Sequence, residues 1–373
     1  MCIRDRGVQR VTYEALLAGG LDLTGVRSRE IAVTWRGDAV ARWIGGSQTF
    51  GPGSAIEFVG SPPTGDDARY IDAANYQISV SPKLARDAKH MPWAATPRVS
   101  PSYRAETTVD RPLMHHSQSP TGDPWIERTV LARPDNPATA TLVVEVDDEV
   151  LDGDHRLILD LGTITDLPDL IDESGALVPE HNVEVLVAGP DSGYVPVATA
   201  SISDQKKWHI EADLPDGLLR SGQNLIQLRF STEYFFSLAV IDSYAVRYST
   251  PYRGSELDFA PDRWAHGYRV EDLASPDVVA YSVTQNGELT RHQVSVRPSE
   301  TGFEAEFRQN RSAATRSAGR EPAPVTRFWV TGVPHAPEVF TTAAPEGLFA
   351  DQPTDLVVIA GSSFIDTPAL THY

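Results

Sequence analysis

The chain has 373 residues and a formal net charge of −19, from 51 acidic and 32 basic residues. Hydrophobic residues make up 41% of it and charged residues 22%, a composition typical of soluble globular proteins, and its length fits two to four domains. The negative charge repels nucleic acids and anionic membranes, so neither is an expected partner. No apolar run approaches the roughly 20 residues of a membrane-spanning helix.

The first six residues, MCIRDR, match the translation of a transposase-adapter sequence used in library preparation. We therefore expect residues 1–6 to be an artefact and leave them out of fold prediction. Cys2 is the single cysteine of the chain and lies in this segment, so residues 7–373 offer no disulfide, cysteine metal ligand or cysteine nucleophile. A natural start, with any signal peptide, is expected upstream of Gly7.

Residues 7–110 are predicted to form an N-terminal β-rich domain followed by a Pro-rich linker. A short helix begins after Thr12, a capping residue, and ends at Gly19-Gly20. Two strands flank the hairpin signal Arg36-Gly37-Asp38, and further strands are predicted at 55–59 and 76–80. From Ser81 to about Asp110 the sequence is Pro-rich and weakly periodic, which favours a linker.

Residues 111–252 carry the most regular strand pattern. Seven apolar runs are separated by Asp, Gly and Pro turns: ATATLVVEVDDEV, HRLILDLG, NVEVLVAG, YVPVATASI, KKWHIEADLP, NLIQLRF and LAVIDSYAVRY. Many short strands at such spacing are typical of a jelly-roll β-sandwich.

Residues 253–332 predict a second, small β-sandwich. Its strands are expected near 278–283, 291–296, 302–307 and 326–330, and the basic stretch RQNRSAATRSAGREPAP is expected at a mobile hairpin tip. Residues 333–373 then end in TDLVVIAGSSF, where an apolar run bounded by Asp355 and Gly361 is typical of a buried parallel strand. Because a single parallel strand lacks neighbours, we expect mobile or makeshift packing after about Pro334.

Three parts of this sequence resemble the gingipain-type cysteine peptidases. The first is the N-terminal stretch, with FGPGSAIEFVG and ARYIDAANYQISV, where Tyr70, Asp72, Asn75 and Tyr76 match a Y-x-D-x-N-x-Y segment. The second, EHNVEVLVAG to LAVIDSYAVRYSTPYR, is similar to the jelly roll that precedes the catalytic domain in many of them. The third, FWVTGVPHAPEVF to TDLVVIAGSSFIDTPAL, resembles the approach to that domain and its first strand.

The resemblance implies a mainly β fold of consecutive sandwich or jelly-roll domains, ending in the truncated start of an α/β peptidase domain. In the family the catalytic His, and then the Cys, follow that first strand. No residue of this chain therefore inherits a catalytic or cofactor-binding role. Well over a hundred further residues are expected after Tyr373, since a doubly wound domain needs several βαβ units of about 30 residues each.

Four local features admit a chemical and a plainer interpretation. The AGSSF sequence lacks the second glycine of a nucleophile elbow. The pair His115-His116 has no third metal ligand at useful spacing, which favours surface histidines. Asp147 to His155 is rich in the oxygen ligands that calcium prefers, but a hairpin turn around Asp152-Gly153 is simpler. In SGQNLIQLRF, residues 221–230, the polar residues most simply serve a turn into a core strand.

Two hypotheses from different classes remain. In the first, the chain is the non-catalytic N-terminal part of a secreted gingipain-like cysteine endopeptidase. It braces or presents the missing catalytic domain, which is its main partner, and it is located outside the cell or on the cell surface. Protein substrates would then be bound through the parent, whose chemistry uses a thiolate activated by an imidazole. In the second, residues 111–252 form a carbohydrate-binding jelly roll of an extracellular carbohydrate-active protein. No cofactor is expected, with calcium left open.

Overall fold

A computed structural model describes residues 1–45, 48–63, 71–94, 98–189, 193–262, 264–309 and 325–340. Across them the secondary structure is almost entirely β, in agreement with the predicted mainly β class of sandwich domains. The predicted start of an α/β domain, with its strand at 356–360, lies outside the described residues, as does most of the predicted basic hairpin tip.

The described chain contains 27 strands, one α-helix and one 3₁₀-helix (Ser28–Glu30). The elements up to residue 100 are β1 (Cys2–Ile3), β2 (Gly7–Thr12), α1 (Tyr13–Ala18), β3 (Ile31–Trp35), β4 (Asp38–Gly45), β5 (Ala55–Gly60), β6 (Ala74–Val80), β7 (Arg86–Asp87), β8 (Lys89–Met91) and β9 (Val99–Ser100). Those of the middle are β10 (Ser102–Asp110), β11 (Met114–His115), β12 (Trp125–Ile126), β13 (Arg128–Ala132), β14 (Ala138–Val146), β15 (Leu151–Thr163), β16 (His181–Ala188), β17 (Tyr194–Ile202), β18 (Lys207–Leu214), β19 (Gly222–Ser231) and β20 (Ser237–Pro251). The last are β21 (Glu256–Phe259), β22 (Gly267–Leu273), β23 (Val279–Thr284), β24 (Leu289–His292), β25 (Ser295–Pro298), β26 (Phe303–Arg308) and β27 (Val325–Thr331).

These strands form two compact units rather than the consecutive domains predicted from the sequence. Unit 1 combines residues 1–100 with residues 253–373, and unit 2 is the continuous segment Pro101–Tyr252. The N-terminal region and the predicted small sandwich at 253–332 therefore belong to one unit.

Unit 2 is a sandwich of two antiparallel sheets. One has the strand order β10-β20-β15-β18, with β13 also paired to β20, and the other has the order β14-β19-β16-β17. All seven predicted runs are strands, and the clearest of them alternate apolar and polar residues across a half-buried sheet. In β18, for example, Trp208, Ile210, Ala212 and Leu214 are buried and the residues between them exposed.

The predicted hairpin turn at Asp152-Gly153 is wrong. Both residues lie inside β15, and the chain turns earlier, between the end of β14 at Val146 and Leu151. The pairing of β15 with β20 shifts register between Leu151 and Arg156. Gly153 has φ +152° there, so it serves a strand irregularity rather than a turn.

In unit 1 the N-terminal sheet has the strand order β1-β6-β3-β4-β5-β2, with β7 also paired to β4. The predicted cap and hairpin are both present. The Thr12 hydroxyl accepts a hydrogen bond from Ala15 N (3.2 Å) at the start of α1. Arg36 and Gly37, at φ 53° and 87°, form the two-residue turn between β3 and β4.

The two edge strands of this sheet, β1 and β2, are joined by the segment 335–338. Its His335 exchanges backbone hydrogen bonds with β2, to Val8 O and from Arg10 N, both at 2.8 Å. Glu338 O accepts from Cys2 N at 3.3 Å. Although residues 1–6 were excluded from fold prediction, Ile3 in this segment is 2% exposed and packs in the core of the sheet.

The second half of unit 1 is a sandwich of two small sheets. Their orders are β21-β27-β23-β24-β8 and β25-β26-β22-β9. The strands β8 and β9 join as parallel edges, pairing with β24 and β22 respectively. The linker predicted from Ser81 to Asp110 is therefore wrong, because this segment supplies four strands, each to a different sheet.

Candidate functional site

Unit 2 contains a Ser–His–Glu arrangement that has the elements of a catalytic triad. Ser237 Oγ lies 2.7 Å from His181 Nδ1, and Glu180 Oε1 lies 3.6 Å from His181 Nε2. Because Nε2 also faces the carbonyl oxygen of Thr165 at 3.3 Å, which only accepts, Nε2 carries the ring proton and Nδ1 accepts the serine hydroxyl. Burial lowers the pKa of His181, with Glu180 acting in the opposite direction, so the ring is neutral near pH 7.

This arrangement is closed to any substrate. The exposed fractions of Ser237, His181 and Glu180 are 2%, 0% and 1%. A nucleophile must contact the atom it attacks, and no substrate reaches a serine enclosed to this degree. The hydrogen bond instead joins β16 of one sheet to β20 of the other, so its role is to hold the two sheets at one end of the sandwich.

A second buried serine–histidine pair has the same kind of role in unit 1. His292 Nδ1 donates to Arg308 O at 2.9 Å, and Ser282 Oγ lies 2.7 Å from His292 Nε2. The ring packs on Phe307 and Phe328, with centroids 5.6 and 5.5 Å away. Burial lowers the pKa of His292 to about 4. His292 thus links β24 in one small sheet to β26 in the other as a neutral ring.

A cluster of charged side chains in unit 1 surrounds Glu57. Its Oε1 lies 2.9 Å from Arg10 Nε, and its Oε2 lies 3.0 Å from Arg291 Nε and accepts the hydroxyl of Tyr281. Arg10 is in turn paired with Asp277. We call these five residues the Glu57 cluster. Its two arginines and two carboxylates carry opposite charges in equal number.

The Glu57 cluster connects the two halves of unit 1. Glu57 is on β5 and Arg10 on β2 of the N-terminal sheet, whereas Tyr281 and Arg291 are on β23 and β24 of the small sandwich. Tyr281 is fully buried, and burial together with the Glu57 carboxylate raises its pKa, so the phenol stays protonated and donates. The Glu57 side chain is 7% exposed, so its carboxylate needs these partners, because a buried charge without a counter-charge is strongly destabilising.

Two of the locally ambiguous features, the pair His115-His116 and the turn before β19, have plain structural surroundings. His115 is exposed and lies edge-on to Trp125, with centroids 5.3 Å apart, whereas His116 is half-buried. In the turn before β19, the Asn224 amide donates to Arg220 O at 2.7 Å, and Gly222 has φ +83°, as expected of a turn into a core strand. The AGSSF serines lie outside the described residues. Within the described ranges no three His, Cys, Asp or Glu side chains are grouped to hold a metal ion, including those of Asp147 to His155.

Sequence reasoning missed the Glu57 cluster and the buried histidines His181 and His292. Glu57 follows the alternation of its strand, and its partner Arg291 lies 234 residues away. The available signal was a charged residue between Ile56 and Phe58, both of which are fully buried. A carboxylate in such a strand indicates a buried ion pair, but not its partner.

No family model and no curated protein matches the chain. Among solved structures, dimeric latent PorU from Porphyromonas gingivalis matches with a TM-score of 0.60 and 12% identity, covering 91% of this chain and 32% of that one. The chain thus spans about a third of the length of that PorU chain. At this identity the match establishes a shared fold.

Carbohydrate-binding modules match over smaller parts of the chain. TmCBM61, solved with β-1,4-galactotriose, covers 40% of this chain and 89% of its own, with 10% identity and a TM-score of 0.22. A CBM29-2 mutant covers 40% and 94%, with 12% identity and a TM-score of 0.21. These scores are too low to support an argument. No helix among the described residues is long and apolar enough to cross a membrane.

Proposed function

We propose that this chain is the non-catalytic, β-rich N-terminal part of a secreted gingipain-like cysteine endopeptidase, in which it braces or presents the catalytic domain. The observation that carries the proposal is the PorU-like fold, which extends over 91% of the chain but over only 32% of PorU. The resemblance of the sequence to the gingipain-type cysteine peptidases supports the proposal independently of the fold.

The side-chain chemistry is consistent with a bracing role. In the described residues, the arrangements that resemble catalytic groups are enclosed, and each joins one sheet to another. The Glu57 cluster likewise fastens two sheets of one unit. Buried contacts that hold the sheets together would give a rigid domain, and a rigid domain suits the support of a neighbouring domain.

Activity and the downstream sequence test the proposal. Purified residues 7–373 should hydrolyse no peptide or protein substrate, and thiol-dependent turnover by this segment, which lacks Cys2, would contradict the proposal. A longer gene should encode an α/β domain after Tyr373 with a His and, later, a Cys close in space. A continuation without that pair would remove the basis of the peptidase assignment.

One exposed aromatic pair favours testing the carbohydrate-binding alternative. Trp125 on unit 2 is 38% exposed and contacts the exposed His115. Sugar rings pack on exposed aromatic faces, and such packing changes tryptophan fluorescence. Titration with β-linked oligosaccharides should leave the fluorescence unchanged if the bracing role is the whole function. A saturable change that Trp125→Ala abolishes would support the alternative.

A further inference from the structure

An exposed hairpin lies at one end of the unit 2 sandwich, in the connection from β15 to β16. In it Val178 N donates to Leu170 O at 2.9 Å, and Ile171 is paired with Leu177. Gly175, at φ +84°, lies in the tip of the hairpin. The turn from β19 to β20 is at the same end of the sandwich, because β15 and β20 pair antiparallel.

A buried tyrosine in that turn fixes the hairpin to the sandwich. The Tyr234 hydroxyl accepts a hydrogen bond from Leu170 N at 2.9 Å and donates one to Val178 O at 3.0 Å, so it bridges the two sides of the hairpin. In the same turn Thr232 Oγ1 donates to Glu180 O at 2.7 Å. The hairpin is therefore held in one conformation before any partner binds, which lowers the entropy cost of binding.

Large apolar side chains of the hairpin and the turn face solvent. Ile171 and Leu177 lie opposite each other and are both exposed, whereas the next residue, Val178, is buried on the inner face. Phe235, which directly follows Tyr234, is 83% exposed. We call Ile171, Leu177 and Phe235 the end surface. Exposed apolar side chains grouped in this way mark a site of interaction.

The segments that carry the end surface have charges of one sign. Residues 164–180 include five acidic residues and no basic residue, and the turn at 232–236 adds Glu233. Five of these six carboxylates are exposed, namely those of Asp166, Asp169, Asp172, Glu173 and Glu233. The end surface is therefore apolar with an acidic rim.

We propose that the end surface of unit 2 docks a protein partner through a segment that carries apolar side chains next to lysine and arginine. The apolar side chains of the partner cover Ile171, Leu177 and Phe235, and its cations meet the carboxylates of the rim, as in interfaces with an apolar core and a polar rim. This inference goes beyond the proposed bracing role and does not depend on the chain being part of a peptidase.

The charges favour this occupant over two others. A second copy of the chain would bring the five exposed carboxylates of one end surface against those of the other, and like charges facing each other across an interface oppose binding. An anionic membrane would be repelled for the same reason. A basic segment instead gains both from burial of the apolar side chains and from opposite charge.

Subtractive peptide display on the full chain tests the proposal. Random peptides on phage are first depleted on the end-surface variant, Ile171→Thr with Phe235→Ser, and are then selected on the wild type. Because both substituted side chains are exposed, the variant should have the same urea midpoint as the wild type. The enriched peptides should combine apolar residues with a net positive charge.

The affinities of individual enriched peptides, measured by fluorescence anisotropy, provide the controls. The end-surface variant should bind each peptide about tenfold or more weakly than the wild type, whereas Leu113→Ser, at an exposed apolar side chain elsewhere on unit 2, should bind it equally. Asp169→Asn with Glu173→Gln should weaken binding and reduce its salt dependence. Glu145→Gln with Asp152→Asn removes the same charge at the opposite end of the sandwich and should have little effect.

Four outcomes would overturn the proposal. The first is no enrichment over the end-surface variant, and the second is enrichment of peptides without net positive charge. In the third, the wild type self-associates in sedimentation velocity and the variant does not, which would assign the end surface to a second copy. In the fourth, the wild type but not the variant sediments with vesicles of phosphatidylcholine or phosphatidylserine, which would assign it to a membrane.

Discussion

The buried ring of His292 should make the stability of unit 1 depend on pH between about 4 and 6.5. Its pKa falls from the ordinary value of 6.5 to about 4 because the ring is removed from water. Below pH 6.5 the unfolded chain takes up a proton that the folded chain accepts only near pH 4. Stability is therefore complete above pH 6.5 and is lost as the pH falls.

The size of this effect follows from the two pKa values. At 1.36 kcal/mol per pKa unit, the difference between 6.5 and about 4 corresponds to about 3 kcal/mol, most of which is lost by about pH 4.5. His292→Gln keeps a donor for Arg308 O and an acceptor for Ser282 but takes up no proton. The variant should lose most of this pH dependence in urea unfolding measured at about pH 7 and about pH 4.5.

His209 provides a matched control of opposite sign. This half-exposed ring on β18 has a raised pKa, first because of its hydrogen bond to Asp160. Its contribution to stability is present below pH 6.5 and is lost as the pH rises through the folded pKa, so His209→Gln should not reduce the acid sensitivity. A His292 imidazole that titrates near 6.5 by NMR, or equal acid sensitivity in wild type and His292→Gln, would refute the reasoning.

Two further predictions concern the buried carboxylate of Glu57 and the half-buried carboxyl group of Asp242. Glu57→Gln should lower the free energy of unfolding of unit 1 by about 3 kcal/mol, because Arg291 loses its buried counter-charge. The control Glu184→Gln removes one partner of an exposed ion pair and should lower the free energy of unfolding by less than about 1 kcal/mol. Equal losses for the two variants in denaturant titrations would contradict this prediction. Burial, together with nearby carboxylates, raises the pKa of Asp242 to about 6, so its charged form destabilises the folded state near pH 7. Asp242→Asn removes this charge and should stabilise unit 2 near pH 7 by on the order of 1 kcal/mol after allowance for solvent screening. That gain should shrink towards pH 4, where the wild-type carboxyl is itself protonated, and a constant gain would argue against the assigned cause.

Local signals predicted local structure well. The hairpin at Arg36-Gly37 and the cap at Thr12 depend on residues adjacent in sequence, and both are present. The strands of unit 2 were predictable because each buries one face, which imposes alternation on its own sequence. In α1 Leu16 is buried but Leu17 is 47% exposed, since so short a helix covers the core mainly with one leucine.

Structure that depends on distant partners was not predictable. The strands β8 and β9 are two or three residues long, and they are strands because β24 and β22 provide their hydrogen bonds from 201 and 168 residues away in sequence, respectively. The same holds for the site chemistry, since the sequence around Glu57 indicates at most a buried ion pair without its partner, and nothing in the sequence around His292 marks that ring as buried. Only the fold shows that these side chains are enclosed and which groups they meet.

The discontinuity of unit 1 has a consequence for folding during synthesis. Unit 2 is continuous, and its first and last strands pair along their length, from Ser102 opposite Pro251 to Asp110 opposite Ser243. It is therefore complete once the ribosome has released residue 252, whereas β8 and β9 have no partners until β24 and β22 emerge. We therefore expect unit 2 to fold first during synthesis, and β8 and β9 of unit 1 to pair only after β24 and β22 have been synthesised.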